Sequence, residues 1–468
     1  MLPVNAVELR ARKAAALPLQ AGTDRANPRP AVDRVSRAGL QRPQRGPGPP
    51  RARQPAAPAA RPRGQPAAPA GDRGPARLHP LETESAALVG FELNERQRDL
   101  QQQAREFAHG VLRPAGRALD RAFDPGTFRR VLKALIRAGY TSMPVPPEFG
   151  GMGWDNLTVA IVLEELAAGS AGLASALAAS FHAASVLLIA GTEAQRRQFL
   201  PLLSDSSGGL AAMAITEHEA GGSDILALAT RSRRESHGYT LSGTKCFVTN
   251  AGFAAFYVVL ATEDPRLARA GLGAFLVPPD APGVSVVRFE DTMGMRPSPV
   301  GELRLENVRL PFSSLIGEPG SAYPATLQTL DRGRAFYGAI AVGLARAAYE
   351  TALEFARKRQ QFGVAIFRHQ AIAFTLADMA TEIDAARLLV WRACWLMDRG
   401  EDYTKEASMA KLYASETAVR VTTDVLQILG KSGYSRDETV EMFVRDANAL
   451  RIMEGTNHIQ RIVIATQL

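Results

Sequence analysis

Near the C-terminus the chain reads Arg451, Ile452, Met453, Glu454, Gly455, Thr456, Asn457, and Glu454 is the residue of this run that can do chemistry. A carboxylate fixed on a tight turn at a helix end can take a proton from a weakly acidic carbon, provided its position is held and water is kept away. The same three residues, Glu454, Gly455 and Thr456, also describe an ordinary helix end, with glycine as the left-handed cap and the acid in water. What the rest of the chain sets beside this carboxylate decides between the two.

Five further groups have residue types and spacings suited to a large anionic ligand. Residues 214–217 (AITE) lead into Ala220, Gly221, Gly222, Ser223 and Asp224, a strand entering a glycine-rich loop whose bare N–H groups and hydroxyls can approach a phosphate. Residues 245–251 (KCFVTNA) set Phe247 two positions from Thr249, so a ring and a hydroxyl share one face of a strand. Asp331, Arg332, Gly333 and Arg334 open a helix with an acid and two forked cations, a set that suits polar groups and phosphates. Arg359 to Gly363, with His369 and Gln370, makes a basic and aromatic cluster, and residues 427–434 (QILGKSGY) place Gly430 and Gly433 around Lys431. Each has a plain structural alternative: a Gly-Ser-Asp turn, a core phenylalanine, an exposed ion pair, a basic helix end, a helix C-cap.

The elements that must position these residues follow from composition and period. At 468 residues, 46% hydrophobic and 22% charged, the chain suits two to three domains with a large core. Residues 1–80 carry 15 Lys and Arg against 4 Asp and Glu, or +11 of the net +8, which leaves −3 for the rest. This segment is rich in Ala, Pro, Arg and Gly and nearly free of large apolar residues, so residues 1–90 read as a disordered tail. A basic tail for an anionic surface, a transit peptide and an over-extended start or solvated tail are its possible meanings, the last outweighing the other two. Residues 91–212 have helical spacing and form an N-terminal helical domain. Residues 213–320 shift to short alternating runs and form a middle β-barrel domain, and residues 321–468 return to helices as a C-terminal bundle. Ile372, Leu376, Met379, Ile383, Ala386, Val390, Ala393 and Met397 draw one apolar seam along a long helix. Cys246 and Cys394 are the only cysteines and have no zinc-ligand spacing, so neither a disulfide framework nor a metal site is expected. No window reaches membrane-spanning length without charge or turn residues, so no membrane span is expected.

Order and motifs together make the chain resemble the acyl-CoA dehydrogenase family over residues 91–468. The resemblance implies an α+β multidomain fold: an N-terminal helical domain, a middle β domain and a C-terminal four-helix bundle, preceded by the disordered tail. It implies FAD as cofactor, contacted by Met213, Thr216, Gly222, Ser223, Phe247 and Thr249, with Thr249 the partner of flavin N5. Arg359, Gln361, Phe362, His369 and Gln370 are the implied pyrophosphate and adenosine contacts from a neighbouring subunit, with Gln427, Gly430, Lys431, Thr456 and His458 completing the cofactor set. Ser223, Asp331, Arg334 and Gly455 are the implied substrate contacts, and Glu454 is the implied catalytic base.

The implied reaction is FAD-dependent α,β-dehydrogenation of an acyl thioester, on CoA or on an acyl carrier protein, to the trans-enoyl thioester. Glu454 removes the α-proton, flavin N5 accepts the β-hydride, and the Glu454 N–H and a ribityl hydroxyl polarise the carbonyl. Desolvation by flavin and substrate is expected to raise the pKa of such a carboxylate. Electron-transfer flavoprotein is the implied acceptor, the assembly a homotetramer or homodimer, and the setting cytoplasmic fatty acid metabolism. The chain departs from the family pattern by one extra residue between Glu217 and Gly222 and by His218 in place of proline. Lys431 replaces glycine, Met442 a basic residue and Met453 a tyrosine. Met453, with the residues around Phe181 and His182, bears on the acyl pocket.

Three readings share this frame. One is a carrier-protein-linked dehydrogenase of secondary metabolism. Another is a class D-type flavin monooxygenase, against which Glu454 argues because hydroperoxide chemistry needs no α-carbon base. The third is a flavin-bearing nucleic-acid-binding protein, against which the near-neutral charge beyond residue 80 argues.

Overall fold

Short polar caps start nearly every helix of the first domain. In the computed structural model, which describes residues 92–206 and 208–468, helix α1 (Glu95–Phe107) opens on a reciprocal capping box between Asn94 and Gln97. The expected tail over residues 1–90 lies outside the described residues. Helices α2 (Arg113–Arg121) and α3 (Pro125–Arg137) follow, the latter capped by Asp124 with proline at its first position. Asp155 caps α4 (Asn156–Gly169), Ser170 caps α5 (Ala171–Ala190), and Thr192 caps α6 (Glu193–Phe199).

Helices α4 and α5 are buried over nearly their whole length. By length and composition α5 could cross a membrane, contrary to the reading of the sequence, yet 83% of its apolar stretch is buried within the protein. Its alanines, glycine and serines give it a narrow profile, and it serves as a core helix.

Seven strands make the middle domain: β1 (Ala212–Ala214), β2 (Arg231–Glu235), β3 (Gly238–Thr249), β4 (Tyr257–Thr262), β5 (Leu272–Val277), β6 (Val284–Phe289) and β7 (Val300–Leu310). They pair in the order β1-β4-β2-β3-β7-β6, with β5 on β4, so the ladder is an open path among the described residues. Strands β4 and β5 are buried on both faces and read as continuous apolar runs, whereas the edge strand β6 is mostly exposed. Cys246 and Cys394 are free and buried.

The last domain is built on α7 (Ala322–Lys358), α8 (Gln370–Asp398) and α9 (Thr404–Leu429), with α10 (Val440–Leu450) and α11 (Asn457–Ala465) packed on α9. A two-stranded hairpin, β8 (Gln360–Gln361) and β9 (Val364–Ala365), joins α7 to α8. Six of the eight predicted seam residues on α8 are buried, and Ile372 and Met397 pack at its ends. Helix α7 packs on α4 and α5 as well as on α8 and α9, so one core runs through both helical domains.

That junction is polar at one point. Arg346 of α7 bonds Glu164 (3.0 Å), Glu165 (2.6 Å) and Glu350 (2.9 Å); Arg387 of α8 also reaches Glu164 (2.9 Å), and Arg105 of α1 reaches Glu165 (2.9 Å). Burial alone would raise the Glu165 pKa, but Arg105 and Arg346 outweigh it and hold it below the ordinary value. Its contribution is therefore present above the usual carboxylate range and is lost as pH falls through the lowered value. Arg346→Met leaves two buried carboxylates short of a cation, so it should lower unfolding free energy by about 3–5 kcal/mol near neutral pH. Denaturant unfolding at neutral and acid pH checks this; the loss should shrink in acid.

Candidate active site

Helix α10 ends in a turn that places a glutamate, as well as a glycine, in the left-handed region. Met453 N–H still donates to the Ala449 carbonyl (3.0 Å), but Glu454 and Gly455 both have left-handed backbones, φ 59° and 78°. For glutamate that conformation costs roughly 1–2 kcal/mol. Opposing bonds fix it: Gln460 Nε2 donates to the Glu454 carbonyl (3.1 Å) and the Gly455 carbonyl (2.9 Å). Lys411 Nζ, from mid-α9, donates to the Gly455 carbonyl and to Asn457 Oδ1, each at 2.9 Å. Thr456 then caps α11 by accepting from Ile459 N–H.

The turn aims the Glu454 side chain inward, 16% exposed, at α5 and α7. Its Oε2 lies 2.9 Å from Nε2 of His182, an ion-pair contact out of line for a well-formed hydrogen bond, and neither atom has another partner. The imidazole fits only because residue 333 is glycine: a Cβ there would sit 1.9 Å from His182 Nε2. Tyr337, one turn further along α7, shares a hydrogen bond with Ser175 of α5 (3.2 Å). Arg334 is buried, bonded to Asp331 and to Ser408 (3.2 Å), with its Nε free, while Asp331 also accepts from Thr404 (2.8 Å).

Charges in this chamber shift one another. Burial would raise the Glu454 pKa, but His182, Lys411 and Arg334 together hold it below the ordinary carboxylate value. The expected upward shift is thus reversed in the chain by itself, because its cations outweigh desolvation. Burial would lower His182, yet Glu454 and a hydrogen bond to the Ala178 carbonyl raise it. Lys411 falls to about 7 through burial. Asp331 is raised, burial outweighing Arg334 and Thr404.

A second group lies in the β domain. Met213 is on β1, and the Thr216 carbonyl accepts from Cys246 N–H (2.9 Å), which ties the glycine-rich loop to β3. Beneath it Lys245 and Glu217 form a buried pair at 2.7 Å. Gly222 passes close to Thr216: a Cβ there would be 2.7 Å from its Oγ1, and Ser223 beyond it is exposed. Strand alternation does not explain Phe247. A bulge between Lys245 and Val248 breaks the register, and Phe247, at φ 51°, turns its ring outward to 57% exposure, while Thr249 stays paired with Val300. A core phenylalanine would be covered.

The remaining expected residues stand on the surface. Phe362 is 93% exposed at the hairpin tip, its ring 5.9 Å from that of His369, whose Nε2 is 3.3 Å from the Gln361 carbonyl. Arg359, Gln370, Gln427, Lys431 and His458 are exposed, and Gly430 adopts φ 56°, ψ −129°, a backbone natural to glycine alone. Among the described residues no hydrogen bond, ion pair or ring contact links the hairpin to Glu454.

Sequence reasoning missed Lys411, Gln460, Asn457 and Tyr337, and noted His182 only as a pocket residue. A signal existed: His182 in LAASFHAASVLL and Lys411 in ASMAKLYAS are the only basic residues in runs rich in small residues.

A carboxylate on one wall and an exposed ring beside a glycine-rich strand end suit a flavoprotein that withdraws hydrogen from carbon. Comparison with known proteins over about four-fifths of the chain points to the same class. The models for acyl-CoA dehydrogenase N-terminal, middle and C-terminal domains match residues 94–207, 212–308 and 323–468. The "probable acyl-CoA dehydrogenase YngJ" of Bacillus subtilis (strain 168) is 40% identical over 384 residues, 81% of this chain and 100% of that protein. Butyryl-CoA dehydrogenase from Megasphaera elsdenii superposes with a TM-score of 0.78 at 35% identity, covering 81% of this chain and 99% of its own. The prolyl acyl carrier protein oxidase AnaB does so with a TM-score of 0.77 at 33% identity, covering 80% and 99%. The chain belongs to the acyl-CoA dehydrogenase family, and it is a flavin-dependent oxidoreductase with FAD as cofactor. The residues present fit that group: Phe247 and Phe362 offer uncovered rings, and Gly222 and Gly430 offer bare backbone.

Lys411→Met removes the donor shared by the Gly455 carbonyl and Asn457 while leaving Gln460 in place. Unfolding free energy should fall by about 2–3 kcal/mol, measured by denaturant unfolding. An unchanged midpoint would show that Gln460, with Ser415, whose hydroxyl accepts from the Asn457 amide at 2.9 Å, holds the turn unaided.

Proposed function

We propose that the protein catalyses α,β-dehydrogenation of an acyl thioester, with Glu454 as the base that removes the α-proton. The observation that carries this reading is the turn itself: a glutamate in a left-handed backbone, pinned from α9 and α11, with its carboxylate turned inward from solvent. Such strain persists at a helix end when the side chain has a task there.

Bound FAD supplies the acceptor for the β-hydrogen, which leaves as hydride. Met213, Thr216, Gly222, Ser223, Phe247 and Thr249 would hold its ring and phosphates. Arg359, Gln361, Phe362, His369 and Gln370, with Gln427, Gly430, Lys431, Thr456 and His458, would complete the site around it. The separation of the hairpin from Glu454 within one chain supports its serving a second copy, in a homodimer or homotetramer. On the substrate side the Glu454 N–H donates to the thioester carbonyl, which acidifies the α-carbon, and the buried setting strengthens that bond. Arg334, with a free Nε, and Asp331, with Ser223 and Gly455, line the approach of the thioester's carrier arm. An electron-transfer flavoprotein is the proposed acceptor and the cytoplasm the proposed setting. The domain limits proposed are 91–212, 213–320 and 321–468.

The likeness to AnaB supports a second reading, in which the acyl group arrives on a carrier protein. Anaerobic bleaching of the flavin by matched CoA and carrier-protein thioesters separates the two. Glu454→Gln should keep the bound-FAD spectrum and slow flavin reduction by acyl thioester by about 10²–10⁴-fold. Near-normal reduction in this variant would remove Glu454 from the mechanism.

A further inference from the structure

Histidine 182 is not needed by the reaction as just described, and yet the fold goes to some length to place it. It lies in mid-α5, 5% exposed, in a helix otherwise made of glycine, alanine, serine and large apolar residues. Helix α7 makes room for it with Gly333, inside a helix where glycine costs about 1 kcal/mol relative to alanine. The freed space is filled by an imidazole whose Nε2 meets Oε2 of Glu454 at 2.9 Å and meets nothing else.

The Ala178 carbonyl, one turn back on the same helix, favours a proton on the ring. With that proton facing Ala178, the neutral ring would turn a bare nitrogen lone pair on a carboxylate oxygen, which is repulsive. The contact is favourable only with one proton between the two groups.

We propose that His182 is a positioning residue that makes Glu454 half of a two-residue base, the pair accepting one proton between Oε2 and Nε2. This rests on Glu454 being the α-carbon base. With the pair empty, repulsion between lone pair and carboxylate raises its proton affinity above that of a lone glutamate. The Cα–H bond of the substrate breaks, its electron pair stays on carbon, and the proton passes to Glu454 and comes to rest against His182. With the pair already loaded, Glu454 is engaged with an imidazolium and cannot serve.

The other charged or titratable groups around the pair come from two helices: Arg332, Arg334 and Tyr337 on α7, and Lys411 on α9. The arginines stay cationic and burial holds the Tyr337 hydroxyl protonated, so neither changes state across the neutral range. Lys411 does, falling to about 7, and must be separated from the pair.

The test uses the full-length, FAD-bound protein labelled with ¹³C-histidine, the ring signal absent from His182→Gln identifying residue 182. That signal should titrate above the ordinary histidine value in the wild type and at least about one pH unit lower in Glu454→Gln. Titration at the same pH in both would overturn the pairing, whether or not Glu454→Gln loses flavin reduction. Retained reduction in Glu454→Gln overturns the base assignment instead, so the two failures are distinct. Kinetically, anaerobic flavin reduction by butyryl-CoA should lose its rate toward acid with the pair's titration. His182→Gln should move that acid limb down by about one unit or more, toward the carboxylate range. Gly333→Ala, which expels the imidazole without altering it, should do the same. A limb that stays in place in both variants belongs to Lys411 and overturns the proposal.

Discussion

Everything at the centre of this protein depends on one ammonium group. Lys411 is buried on α9 and spends its charge on a backbone carbonyl and an amide oxygen, both on the turn that follows α10. Without that tether the carbonyls of the left-handed pair Glu454 and Gly455 keep Gln460 as their side-chain donor, with Asn457 still bonded to Arg451 and Ser415 beside them, and the turn is braced more weakly against its strain. The tether has a cost of its own. A lysine out of water is driven toward neutrality, which is why its pKa falls to about 7. The nearby Glu454 carboxylate opposes that fall, so lysine and base stabilise each other's charged forms across the turn.

The same trade governs the junction between the helical domains. Helix α7 presents Arg346 to two buried glutamates at one level, and Gly333, Arg334 and Tyr337 to the chamber at another. A purely apolar α7 would pack at lower desolvation cost, yet it would leave the rotation and register of α7 against α4 free to drift. Forked arginine contacts fix that register, and Gly333 can admit His182 only when α5 and α7 are held in one alignment.

Helices, strands and the seam of α8 were readable because they rest on local signals: caps, periodicity and turn residues. Glu454 was readable too, since Gly455 and the position in the chain mark the turn. What the sequence concealed was long-range pairing. Nothing near Lys411 in the chain announces a partner 44 residues on, and nothing near His182 announces Glu454. The bulge at Phe247 was hidden for a different reason. Alternation in KCFVTNA suggests an unbroken strand, whereas the extra residue opposite β7 is decided by how β3 pairs across the sheet.

One difference between expectation and structure bears on how the base works. A carboxylate in a dry pocket is expected to become a stronger base as its pKa rises, but in this chain three cations push it the other way. Arg334 and Lys411 can be drawn off by a ligand: Arg334 has a free Nε, and Lys411 is bonded to the turn rather than to the carboxylate. His182 sits in the space that Gly333 leaves for it, its Nε2 against the carboxylate. A substrate that seats against α7 would therefore relieve part of the depression and leave the imidazole facing the acid. With Glu454 as the proposed base, its strength then depends on whether that one ring carries a proton, and a residue that never touches the reacting carbon bears on the chemistry proposed for the chamber.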